Sequence, residues 1–149
     1  MGNSSSFINN IKFDIYLSFP EENEFVIGLK RKLLELNYNF CDSSVVKKSL
    51  EIMSSSEISK YMENLIENTR FIIVCLSLKS LKSYTQSIET NKLLDYSFKD
   101  NNKVIYLITD PNYEPLLLNS IKNNNNYFPY YDQETVNDSF EKIIEILHL

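Results

Sequence analysis

Apolar and polar positions along the chain switch repeatedly between the period of a strand and the period of a helix. The segment from Ile11 to Phe19 is dominated by β-branched and aromatic residues and is closed by Pro20, which predicts a strand followed by a turn. Phe25, Leu29, Leu33 and Leu36 then recur at helical spacing. Glu21, Glu22 and Glu24 gather at the start of that helix and Lys30, Arg31 and Lys32 follow, a distribution that suits the helix dipole and makes the basic triplet a solvated face. A short strand is expected at Tyr38 to Cys41, and a long loop over the polar stretch from Asp42 to Ser56. Ser54 and Glu57 have capping-box spacing, and behind them Ile58, Met62, Leu65 and Thr69 define one face of a second helix.

Phe71 to Leu76 is a continuous apolar run of strand length, as burial on both faces of a parallel sheet requires. A third helix is expected from Leu81 to Phe98 with Leu81, Tyr84, Ile88 and Leu94 inward. Val104 to Ile108 supplies another buried strand, closed by Asp110-Pro111-Asn112. Asn123 to Asn126 reads as a surface loop, Tyr127 to Tyr130 as a weaker edge strand. The final helix takes Thr135 as its cap and Val136, Phe140, Ile143, Ile144 and Leu147 as its inward stripe.

Strand and helix therefore alternate five times, which predicts an α/β fold: a five-stranded parallel sheet, doubly wound, with helices on both faces. The 149 residues are one domain's worth of chain, divided into a flexible tail at 1–10 and a domain at 11–149. Ligands of such sheets approach the carboxyl ends of the strands, here Ser18 to Pro20, Asp42, Ser77 to Ser80 and Thr109 to Pro111. The chain has only two glycines, Gly2 and Gly28, so no Gly-x-Gly-x-x-Gly or Walker-type loop follows any strand.

Composition narrows the function further. A formal net charge of −5 opposes a nucleic-acid role, because binding phosphates needs clustered cations. No apolar run reaches the ~18 residues of a membrane span, and the amino terminus lacks a secretory leader's pattern, so a cytoplasmic protein is expected. Cys41 and Cys75 lie in strand-like stretches and read as buried free thiols. His148, the only histidine, has no neighbouring ligands in sequence, and no metal site is expected.

Phe13-Asp14-Ile15-Tyr16-Leu17-Ser18-Phe19 resembles the opening strand of Toll/interleukin receptor (TIR) domains. Ile58 to Ser80 is similar to that family's second helix, the apolar strand ending in Leu-Ser (here Cys75-Leu76-Ser77), and the serine-bearing turn. The family's Ser-x-Trp-Cys-x-x-Glu-Leu signature aligns with Ser83-Tyr84-Thr85-Gln86-Ser87-Ile88-Glu89-Thr90, which keeps the serine and the glutamate and lacks the tryptophan and cysteine. The loop after the second strand lacks the family's Arg-Asp and Pro-Gly pattern. Pro20-Glu21-Glu22 stands where some enzymatic members carry an arginine. The resemblance covers about Phe13 to Leu147.

It implies a flavodoxin-like architecture and a signalling protein, innate-immune in type, that works by homo- or hetero-oligomeric association with other TIR domains. It also implies an alternative, hydrolysis of NAD at the nicotinamide–ribose bond. Glu89 matches the catalytic carboxylate of the enzymatic members, and Ser18, Phe19 and Ser83 would line the NAD site. NAD enters as substrate, and no resident cofactor is implied. A carboxylate there stabilises the oxocarbenium character that develops at the ribose carbon, and nicotinamide, already cationic, leaves without a general acid. The competing reading of Glu89 is a solvated helix residue. A phospho-receiver domain shares the strand–helix alternation but needs acidic residues after the first and third strands, where this chain has Ser18-Phe19-Pro20 and Leu76-Ser77.

Met1-Gly2-Asn3-Ser4-Ser5-Ser6 fits the N-myristoylation pattern, with Gly2 as acceptor and a hydroxyl residue at position six. A single acyl chain gives reversible membrane association, and neither a polybasic cluster nor an adjacent cysteine adds a second anchor. The competing reading is a serine-rich tail.

Overall fold

The computed structural model describes residues 13–42, 52–82, 104–113, 115 and 126–148. Within them, β1 (Phe13–Ser18), β2 (Phe40–Asp42), β3 (Thr69–Leu76), β4 (Val104–Ile108) and β5 (Tyr127–Pro129) form one sheet. Its order is β2-β1-β3-β4-β5, and every neighbouring pair is parallel. Helices α1 (Glu24–Glu35) and α3 (Gln133–Leu147) cover one face and α2 (Ser55–Glu67) the other.

Alternation along the strands separates the two cores. Tyr16, Ile72, Val74, Leu76, Val104, Tyr106 and Ile108 meet Ile58, Met62 and Ile66 of α2. The intervening residues Ile15, Leu17, Ile73, Cys75, Ile105 and Leu107 meet Val26, Leu29 and Leu33 of α1 and Val136, Ile143 and Leu147 of α3. All of β4 is buried, so both of its faces must be apolar, as its sequence is.

Several boundaries and stripes differ from those expected. Helix α1 begins at Glu24, because the Asn23 side chain accepts the amides of Phe25 and Val26 at 3.0 Å each. Glu21 and Glu22 therefore precede it. Its buried stripe is Val26, Leu29 and Leu33, whereas Leu36 is the C-cap and 48% exposed. Asn37 follows with φ 64°, and the amides of Asn37 and Tyr38 donate to the carbonyls of Leu34 and Leu33. That is a Schellman ending in which asparagine holds the left-handed position. The chain turns there, and β2 starts at Phe40 rather than Tyr38.

The capping box of Ser54 and Glu57 opens α2 as expected. The helix ends at Glu67, so Ile66 completes its buried stripe and Thr69 already belongs to β3. The cap of α3 is Asp132, whose carboxylate accepts the Thr135 amide at 2.7 Å; Thr135 is the third helical residue, not the cap. Leu81, expected inside a third long helix, sits in a 3-10 turn (Leu78–Lys82) and is 62% exposed. The remainder of that expected helix lies outside the described residues, as do the tail at 1–10 and Asn123 to Asn125 of the expected surface loop.

Candidate functional site at the carboxyl edge of the sheet

Because all five strands are parallel, their carboxyl ends share one edge. The chain leaves β1 through α1 to one side and reaches β3 on the other side through α2, on the opposite face. The edge between β1 and β3 is thus the point where the winding reverses, the position at which ligands of such sheets bind. Ser18 pairs with Val74 across it, so Ser18 and Phe19 stand at this point with Leu76 and Ser77.

Ser18 is fully buried and Phe19 is 7% exposed. By strand alternation Ser18 shares a side with Tyr16 and α2, while the Phe19 ring packs into the core under α1. Ser83 and Glu89 lie outside the described residues, as does Gly2.

Next to Phe19 the fold assembles a charge cluster. The Lys30 ammonium is 2.8 Å from Asp42 Oδ2 and 2.7 Å from Glu22 Oε1, and it sits 4.9 Å from the centre of the Phe19 ring. Three separate pieces of chain meet in this way: the turn after β1, helix α1 and the end of β2. The Lys30 side chain is 17% exposed and that of Asp42 only 9%. Burial works against the ammonium, but its hydrogen bonds to Asp42 and Glu22 and their charges outweigh it, so the Lys30 pKa is raised.

Lys30 is therefore not part of a solvated face, and the basic triplet divides by direction. Arg31 is exposed, and Lys32 places its ammonium 4.8 Å from the Phe140 ring. The signal for Lys30 was in the periodicity: it lies four residues beyond buried Val26 and next to buried Leu29, on the border of the inward stripe.

The turns after β3 and β4 form the other half of the edge. Asp110 accepts the amide of Leu78 through Oδ2 at 3.2 Å and that of Asn112 through Oδ1 at 2.9 Å. The Thr109 amide and hydroxyl both donate to the Leu76 carbonyl. Ser80 Oγ accepts the Ser77 amide at 3.0 Å. These bonds hold the Leu-Ser turn in one shape through side chains of serine, threonine and aspartate, without glycine.

Neither cysteine is in a disulfide: Cys75 is buried and Cys41 half-buried. Burial pushes the Cys75 thiol up to about 12 and also raises Cys41, so neither is an activated nucleophile. No group of three or more histidine, cysteine, aspartate or glutamate residues suited to a metal occurs among the described residues. No helix among them is long and apolar enough to cross a membrane.

A sequence model of the TIR domain matches residues 15–144, nearly the whole span of the sheet and its helices. The chain belongs to the TIR-domain family. Solved TIR structures share its fold at low identity. The TIR domain of the Toll-related receptor TRR-2 from Hydra magnipapillata superposes with a TM-score of 0.61 at 17% identity, covering 93% of this chain and 100% of that one. A metazoan TIR-STING receptor from C. gigas superposes with a TM-score of 0.63 at 11% identity, covering 91% of this chain. This chain spans 40% of that receptor chain. Comparison with curated proteins finds no match. In this TIR domain the carboxyl-edge cluster of Phe19, Glu22, Lys30 and Asp42 is the best-defined polar site among the described residues.

Proposed function

We propose that this TIR domain is a signalling module that acts by associating with other TIR domains. The observation that carries the reading is family membership over residues 15–144. Helix α1 adds physical support: Ile27 and Leu34, seven residues apart on its outer side, are 44% and 59% exposed. Large aliphatic side chains clustered on one exposed helix side favour contact with another protein surface. Light scattering across a concentration series tests it. Mass should rise above that of the monomer, alone or on mixing with a second TIR domain, and Ile27→Asp with Leu34→Asp should reverse the rise. A strictly monomeric chain that binds no TIR partner would sink the reading.

A second reading is hydrolysis of NAD, with nicotinamide leaving and water completing the ribose. Its support is the position of Phe19 at the strand edge where the winding reverses, beside a fixed cluster of one ammonium and two carboxylates. Glu89 would supply the stabilising carboxylate, and Ser18, Phe19 and Ser83 would line the substrate. Purified protein should consume NAD and release nicotinamide, and Glu89→Ala should abolish the reaction. Absence of turnover in the unmutated, self-associated protein rejects this reading and leaves the first intact.

A cytoplasmic location with reversible membrane association through myristoylated Gly2 completes the proposal. Fractionation of the parent against Gly2→Ala tests it, and an unchanged distribution removes the membrane step.

A further inference from the structure

Phe13 and Thr69 are the first residues of β1 and β3 and pair in register, so they mark the amino edge of the sheet, at the far end of the strands from Phe19. Beside them the last turns of α2 leave an open cavity of about 180 Å³, with Cys41 of β2 on its other side. A cavity of about 150 Å³ is enough for a benzene ring, so this one has room for a single ring. Every described residue that lines it is uncharged, in a chain whose residues are 23% charged. An ion entering it would lose hydration and gain no counter-charge from those residues.

The lining nevertheless offers hydrogen bonds. Tyr61, Asn64 and Asn68 follow one another along one side of α2. Asn68 Nδ2 donates to Asn64 Oδ1 at 2.9 Å, which holds the two carboxamides against each other. Asn64 Nδ2 is left as a donor and Asn68 Oδ1 as an acceptor, neither with a partner among the described residues. Thr69, also in the wall, is 1% exposed, and its hydroxyl has no partner among the described residues. A buried hydroxyl left unpaired is destabilising, so a ligand that accepts from it gains what the empty cavity forgoes. Burial raises the Cys41 thiol, which keeps that wall neutral as well. Phe13 and Tyr61 add aromatic surface for a flat ring.

We propose that this cavity binds the ring of a neutral lactam-type pyrimidine such as uracil. An N–H of the ring donates to Asn68 Oδ1, the adjacent carbonyl accepts from Asn64 Nδ2, and the second carbonyl accepts from the Thr69 hydroxyl. Planar carboxamides match the alternating donor and acceptor edge of a base, and the two fused rings of a purine exceed the space. The site lies at the opposite edge from the Lys30 cluster and depends neither on TIR–TIR contact nor on NAD hydrolysis.

The test is a nitrogen-15 NMR titration of the full chain with uracil. It should give saturable shifts at the Asn64 side-chain amide and the Thr69 backbone amide. Two counter-probes check the chemistry: 1,3-dimethyluracil, which has no N–H, and orotate, the same ring carrying a carboxylate, should both bind far more weakly. Uridine in parallel separates a nucleoside from a free base as the source of the ring, and shifts at the same residues with either support the site. Asn64→Ala, an exposed helical position, should fold as the parent does and weaken binding about fivefold, the scale of one net hydrogen bond. Thr69→Val keeps the side chain's shape and should weaken binding similarly without lowering the midpoint of unfolding. Three outcomes overturn the proposal: no saturable shift with uracil or uridine, equal binding by dimethyluracil or orotate, or unimpaired binding by either variant.

Discussion

At the scale of single residues, charge and burial act through a few contacts whose loss has a calculable sign. Lys30 pairs with the nearly buried Asp42 at 2.8 Å, so Lys30→Met removes the cation that balances a carboxylate largely withdrawn from water. Removing one partner of a fully buried pair costs about 3–5 kcal/mol, and the partial exposure here reduces the expected loss to about 2 kcal/mol. The pH dependence follows from the raised Lys30 pKa. The folded state holds the proton more tightly than the unfolded chain, so the stabilisation is complete below the unfolded lysine value of about 10.4 and disappears as pH rises through the higher folded value. Urea denaturation should show the parent losing more stability across that alkaline window than Lys30→Met, the buried tyrosines contributing a loss common to both.

Tyr130 carries the opposite lesson. Its hydroxyl is buried without a hydrogen-bond partner among the described residues, and burial raises its pKa. Tyr130→Phe removes an uncompensated polar atom and should stabilise the fold by about 1 kcal/mol. A measured loss of stability would show that the hydroxyl has a partner in solution. Cys75 should resist alkylation at neutral pH until the protein unfolds, because it is both buried and held as the thiol.

At the scale of elements, the ends of helices decide where the chain turns. Asp132→Ala deletes the acceptor for the Thr135 amide and should cost about 1 kcal/mol in chemical denaturation. Asn37→Gly should stabilise by up to about 1 kcal/mol, since glycine enters the left-handed region without strain. Gly28→Ala should add about 0.5–1 kcal/mol for the opposite reason, a helical backbone with room for a methyl group. If Gly28→Ala proves destabilising, the helix needs glycine for itself.

At the scale of the whole molecule, the parallel order β2-β1-β3-β4-β5 puts all strand ends on one edge and leaves α1 with two different environments. Val26, Leu29 and Leu33 enter the core, while Ile27 and Leu34 face outward. Paired substitution of Ile27 and Leu34 by aspartate should therefore lower association without lowering the midpoint of unfolding, separable by light scattering and denaturation on the same samples.

The chain's own periodicity determined the strands and most of the helices. Val104 to Ile108 and the box at Ser54 and Glu57 are local patterns, written in consecutive residues and reproduced without change. The family also was legible there, in the run Phe13 to Phe19 and the Leu76-Ser77 turn. Only tertiary structure could separate Lys30 from Arg31 and Lys32. Its partners are eight and twelve positions away, Glu22 in a turn and Asp42 at the end of another strand, and no local pattern encodes a charge pair closed by strand order. The contact of Lys32 with the Phe140 ring is likewise invisible in sequence, because it exists only once α1 and α3, distant along the chain, lie side by side on one face of the sheet.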